Sequence, residues 1–82
     1  MRVSFVRIEG GGVKVAFAIS RKVGSAVVRN RLRRRLRAMF DGLSSHLHQG
    51  LYLVKCDIRA KDLSYDELHS QLREALRGAG VL

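Results

Sequence analysis

Residues from about 3 to 9 are short-range apolar and β-branched (Val3, Phe5, Val6, Ile8), the pattern of a strand. Gly10-Gly11-Gly12 follows, a three-residue punctuation suited to a hairpin turn that needs positive φ. Over about residues 13–20, Val13, Val15, Phe17 and Ile19 alternate with Lys14, Ala16, Ala18 and Ser20. This period of two predicts a second strand with one bulky face and one face of small groups, open to something flat. The period then changes. Ser25 has the chemistry of an N-cap, and Val28, Leu32, Leu36, Met39, Phe40 and Leu43 follow helical spacing over about residues 25–43. They make an apolar stripe roughly 120° wide, on a helix about 27–30 Å long at 1.5 Å per residue. Gly42 is placed to close or weaken its end.

A third strand is predicted over about residues 51–58, with Tyr52, Val54, Cys56 and Ile58 on one side. Ser64-Tyr65-Asp66-Glu67 then forms a capping box, with Leu63 and Leu68 as its hydrophobic staple. The helix it opens runs over about residues 65–77 and buries Leu68, Leu72, Ala75 and Leu76, with Gly78 or Gly80 as its stop. The order β-β-α-β-α predicts a small α+β domain occupying residues 1–82, without internal repeats. At this length the buried fraction of the surface is modest, and so is the expected stability. Hydrophobic residues make up 46% of the chain, too many for a disordered segment, and without proline no proline-rich linker marks a second domain.

Charge changes the picture from a generic fold to a binding surface. The net charge is +9, and its distribution is lopsided. Residues 1–42 carry eleven lysines and arginines against two acids, Glu9 and Asp41, which is the whole excess; in residues 43–82 five bases balance five acids. Such asymmetry points to a polyanion-binding face. Cys56 is the only cysteine, so no internal disulfide exists, and no apolar run approaches the roughly 18 residues of a membrane span. The first residues lack the apolar core of a signal peptide, which reads as a cytoplasmic protein.

The excess concentrates between Arg21 and Arg37, which hold eight bases and no acid, six of them arginines between Arg29 and Arg37. A solvated helix face normally mixes signs, because like charges at i,i+4 repel. Phosphate is the obvious counter-charge. Neutralising about six phosphates predicts a log–log salt slope of roughly −4 to −5. Arginine's planar fork grips phosphate bidentately and stacks on bases, which suits folded RNA. Asn30 adds a neutral donor and acceptor able to contact a base, a ribose or a metal-bound water. The plain alternative is that the arginines serve solubility and Asn30 caps a turn. Other constellations are bland. His46, His48, His69 and Cys56 have no ligand spacing for zinc, Cys56 has no visible base to make it a nucleophile, and Asp66 and Glu67 suit the positive end of a helix better than magnesium. The Gly10–Gly12 run lacks the ending of a phosphate-cradling loop. The chain is expected to hold no metal and no catalytic residue of its own, and to take no small-molecule substrate and no membrane.

Ser20-Arg21-Lys22-Val23-Gly24-Ser25-Ala26-Val27-Val28-Arg29-Asn30-Arg31, leading into Leu32-Arg33-Arg34-Arg35-Leu36-Arg37, resembles the signature of the bacterial ribonuclease P protein subunit. The strand after it, Ser64 and the last helix also fall where that family has them. The resemblance implies a mixed sheet packed on helices with a left-handed βαβ crossover, against the usual right-handed rule. It implies a subunit of a ribonucleoprotein endonuclease that removes the 5′ leader of precursor tRNA, in which the catalytic RNA and its magnesium carry out the hydrolysis. By position, Arg21, Lys22, Arg29, Asn30, Arg31, Arg33, Arg34 and Arg37 would bind the catalytic RNA, and Lys14, Ala16, Ala18 and Ser20 would face the single-stranded leader. Family members usually open with a basic amphipathic helix that walls the leader cleft; the sequence here begins in the first strand, so the cleft is expected to lack that wall. Two other readings of the residues stay open. One is a noncatalytic structural or ribosomal-type RNA-binding protein. The other is a helix-turn-helix DNA binder, although such a recognition helix carries fewer clustered arginines and follows another helix.

Overall fold

Three strands, β1 (Arg2–Arg7), β2 (Val13–Ile19) and β3 (Gly50–Cys56), and two helices, α1 (Ala26–Leu43) and α2 (Tyr65–Gly78), make up the computed structural model, which describes residues 1–82. The strand order is β1-β3-β2. β3 runs antiparallel to β1, from Arg2 opposite Lys55 to Arg7 opposite Gly50. It runs parallel to β2, from Val13 opposite Gly50 to Ile19 opposite Cys56. The hairpin expected at Gly10–Gly12 does not form. β1 and β2 do run in opposite directions, as hairpin partners would, but β3 lies between them, a gap of about 9.5 Å. Gly10 and Gly12, at φ 86° and 70°, turn the chain across that gap, and the Gly10 N–H donates to Gln49 Oε1 at 2.9 Å. A period-two pattern records which face a residue takes, not which strand sits beside it.

The register gathers one face from all three strands. Val3 and Phe5, Val13, Val15, Phe17 and Ile19, and Tyr52, Val54 and Cys56 point to the same side. α1 covers it with Leu32, Leu36, Met39 and Phe40, and α2 with Leu68, Leu72 and Leu76, all buried. Tyr52 sits at the centre, its ring 4.7 Å from Phe5 and 5.1 Å from Phe40. Its hydroxyl donates to the His48 carbonyl at 2.6 Å, so the buried phenol has a partner. Ile58, expected on the same strand face, lies beyond the end of β3 in the 3-10 turn Ile58–Asp62 and is 49% exposed.

Local chemistry sets the helix ends. The Ser25 hydroxyl accepts from the Val28 N–H at 3.3 Å and starts α1. Gly42 does not end that helix, which passes at Leu43 into a 3-10 turn, Ser44–His46. The capping box of α2 is complete: Ser64 Oγ accepts from the Glu67 N–H at 3.1 Å, and Glu67 Oε1 accepts from the Ser64 N–H at 3.0 Å. At the other end Gly80, at φ 76°, donates to the Arg77 carbonyl, and the Val81 N–H to that of Leu76. This is a Schellman motif, and it folds Val81 back into the core.

Two consequences are measurable. A Cβ at Gly50 would overlap the Val6 carbonyl oxygen and lie 2.7 Å from the Phe5 ring, at a φ of +151°. Gly50→Ala is therefore expected to lower unfolding free energy by at least about 2 kcal/mol in urea titrations, whereas Gly42→Ala, with open space around it, should not destabilise. The Ser64 N–H, and after it the Ser64 hydroxyl, hold the Glu67 carboxyl below the ordinary glutamate range. A carboxyl depressed in the folded state stabilises above its unfolded pKa and loses that contribution as pH falls through its folded value. The urea midpoints of wild type and Glu67→Gln should differ at pH 7 and converge as pH falls below about 4, where the wild-type carboxyl becomes protonated in the folded state.

Candidate nucleic-acid interface

The burial of Leu32, Leu36, Met39 and Phe40 fixes the rotation of α1 and with it the direction of every arginine. At 100° per residue, Arg29, Arg33 and Arg37 fall along one edge, each a turn beyond the last. Arg37 locates that edge beside β2, since its guanidinium carbon stands 5.3 Å from the centre of the Phe17 ring. Arg31 and Arg35 fall along the other edge, where they line a crevice with Ala60, Lys61 and Leu63. Arg34 projects outward between the two rows and is exposed. The arginines of α1 thus form two rows with Arg34 between them, and Arg29, Arg33 and Arg35 are half-buried.

Several of these side chains are held in place before any ligand arrives. Asn30 Oδ1 accepts from Arg33 Nη1 at 2.9 Å, so Asn30 orients an arginine and keeps its own amide N–H groups free. The Phe17 face attracts Arg37 by its quadrupole. Arg29 has its Nε shielded from solvent with no hydrogen-bond partner in the protein. The Arg37–Phe17 contact was not visible from helical spacing, because the two residues meet only once β2 and α1 are packed. Arg21 and Lys22 lie exposed on the 3-10 turn Arg21–Val23, which the buried Val23 pins and the Ser20 hydroxyl caps by accepting from the Lys22 N–H at 3.2 Å. A Cβ at Gly24 would come within 2.9 Å of Val28, so glycine lets this turn press against the first turn of α1. No acid occupies that first turn. The one ion pair of the structure, Arg59 with Asp57 at 3.0 Å, lies elsewhere; no arginine of α1 has a carboxylate within 4 Å.

The uncovered face of the sheet carries the other candidates. Lys14, Ala16, Ala18 and Ser20 are all exposed. Across the register Ala18 adjoins Lys55 and then Arg2, Ala16 adjoins Leu53 and then Ser4, and Lys14 adjoins Leu51 and then Val6. The face therefore has Arg2 and Lys55 at one end, an apolar middle of Ala16 and Leu53, and at the other end Lys14 beside the exposed Leu51 (44%) and Val6 (61%). Arg2, Lys55, Val6, Leu51 and Leu53 were missed from sequence because their placement depends on β3 entering between β1 and β2. β2 is an edge strand whose two faces serve both surfaces: Phe17 beneath Arg37 on one, Ala16 and Ala18 on the other. Elsewhere, His46 and His48 are exposed, His69 is half-buried, and burial pushes the Cys56 thiol up. Asp57 is taken by Arg59, which holds its carboxyl below the usual range. No helix is long and apolar enough to cross a membrane.

This arrangement has relatives. A sequence model of the family described as Ribonuclease P matches residues 1–80. The ribonuclease P protein component of Symbiobacterium thermophilum is 40% identical over 74 residues, covering 89% of this chain and 64% of that protein. The corresponding protein of Thermus scotoductus is 40% identical over 70 residues, covering 85% of this chain and 42% of its own length. The chain thus spans less than two-thirds of these relatives. The solved Staphylococcus aureus RNase P protein superposes with a TM-score of 0.88 at 28% identity, covering 96% of this chain and 73% of that one. The Thermotoga maritima RNase P protein, solved with 1-(4-fluorophenyl)-2-thiourea, gives a TM-score of 0.81 at 20% identity over 92% of this chain and 75% of that one, a likeness of fold.

Uncompensated arginines repel one another in the free protein, and salt screens the repulsion. The thermal midpoint is expected to rise between about 10 and about 150 mM salt, as the Debye length shortens from ~30 to ~8 Å. Arg31→Gln with Arg34→Gln should flatten that rise and melt no lower than wild type at low salt. A drop of many degrees would mean that these two arginines hold the fold.

Proposed function

Since the chain belongs to the ribonuclease P protein family, we propose that it is the noncatalytic protein subunit of an RNA-based endonuclease that removes the 5′ leader of precursor tRNA in the cytoplasm. The observation that carries this reading is the row Arg29, Arg33 and Arg37, two of whose members are oriented by Asn30 and Phe17, with no carboxylate to neutralise it. Preorganised guanidiniums lose less freedom on gripping phosphate than free ones do. The catalytic RNA is the polyanion for α1 and for Arg21 and Lys22. The single-stranded leader lies across the uncovered sheet face, over Ala16 and Ala18, with Lys14 and Ser20 at its margin. Small side chains there admit a flat base close to the backbone, and the apolar middle replaces water against it.

The residues of the chain do not fit a metal of its own. No three His, Cys, Asp or Glu side chains converge, and Asp57 and Glu67 are engaged by Arg59 and Ser64. Magnesium held by the RNA supplies the hydrolytic chemistry. What this chain does is electrostatic: its cations screen the repulsion between two RNA molecules and raise the affinity of each for the other.

Cleavage of a precursor tRNA by the catalytic RNA at low magnesium, with and without the chain, tests this. Stimulation is expected. Arg33→Gln with Arg37→Gln should weaken binding to the catalytic RNA by at least about tenfold, the equivalent of one charge-assisted hydrogen bond. Salt-sensitive RNA binding without any stimulation would instead favour a structural RNA-binding protein.

A further inference from the structure

We propose that α1 holds two separate RNA backbone segments, one along Arg29, Arg33 and Arg37 and a second across the rim where Arg31, Arg35 and Lys61 surround a narrow crevice; the proposal rests on the family reading above. Arg35 and Lys61 have no role in the first row. Arg35 flanks the apolar stripe, and Lys61 comes from the electrically neutral half of the chain. The fold brings them together because the 3-10 turn Ile58–Asp62 packs beside α1, anchored by the buried Ala60.

The crevice is a built feature. Its floor is apolar, with Leu32 and Leu68 buried and Leu63 half-buried, so the cationic stems lie on hydrocarbon while their heads reach solvent. The turn that presents Lys61 is capped by Asp57, whose Oδ1 accepts from the Arg59 N–H at 3.0 Å and whose Oδ2 accepts from the Arg59 guanidinium at 3.0 Å. The acid of that turn is therefore consumed locally. Asp62, next to Lys61, forms no ion pair. Arg31 and Arg35 stand one turn apart with like charge, an arrangement that costs an isolated helix stability, and Lys61 adds a third cation. A polyanion is the ligand that this grouping fits.

Geometry separates the two rows. At 100° per residue they lie about 160° apart around a helix 10–12 Å thick. A backbone segment lying along one edge leaves the other edge turned away from it. The helix is then a spacer that fixes the distance between two negatively charged strands, with Arg34 exposed between them.

The test is equilibrium binding of ribonuclease P RNA across a range of salt, combined with backbone footprinting. The proteins are wild type, Arg35→Gln with Lys61→Gln, and Arg33→Gln with Arg37→Gln, each checked for native circular dichroism. Lys61→Glu serves as a single exposed change that spares the core. Removing two phosphate contacts should reduce the magnitude of the log–log salt slope by about 1.4–1.8 in either double variant, and each should lose protection at a different set of nucleotides. Lys61→Glu alone should weaken binding relative to wild type and lose protection at nucleotides that Arg35→Gln/Lys61→Gln also leaves unprotected. An unchanged slope for Arg35→Gln/Lys61→Gln, beside a reduced one for Arg33→Gln/Arg37→Gln, would overturn the second segment and leave the family reading intact. Loss of the same protections in both double variants would overturn the separation into two. Failure of the wild type to bind the RNA would overturn both proposals together.

Discussion

The insertion of β3 between β1 and β2 governs the rest of the molecule. A strand paired on both sides must bury its side chains on at least one face, and Tyr52, Val54 and Cys56 do so beneath both helices. Because β2 and β3 are parallel neighbours, the chain between them has to travel the length of the sheet, and α1 is that crossover. Its apolar stripe is spent on the sheet and its arginines have nowhere to go but outward. The same order makes β2 an edge, placing the Phe17–Arg37 contact and the small residues Ala16 and Ala18 on opposite sides of one exposed strand.

Both halves of the chain build the core, but the charge is divided unequally between them. The acids of the second half work internally: Glu67 closes the capping box and Asp57 caps a turn while pairing Arg59. α2 adds Leu68, Leu72 and Leu76 to the core and carries Val81 with it through the Schellman turn. The first half contributes uncompensated cations whose repulsion opposes folding. A small core tolerates that opposition because its helix ends are well satisfied.

What was legible in the sequence was local. Ser25 and Ser64 announce their helices because capping involves residues three apart, and the arginine excess is visible from charge counting alone. The strand order was not legible, since partners such as Arg2 and Lys55 are separated by most of the chain. The hairpin expectation failed for that reason. The fine structure of the interface failed likewise: the Arg33–Asn30 bond is within reach of helical spacing, but the Arg37–Phe17 contact and the meeting of Arg35 with Lys61 require tertiary packing.

The same strand order bears on synthesis. β1 is made well before its only partner, β3, which ends at Cys56. Until β3 has emerged from the ribosome, β1 and β2 are both strands without a neighbour, and α1 can form before the surface it covers is complete. Folding through such distant pairings pays loop closure first and gains contacts late, which slows it. The arginines that crowd α1 keep this waiting chain strongly charged, and charge opposes the edge-to-edge association to which unpaired strands are prone.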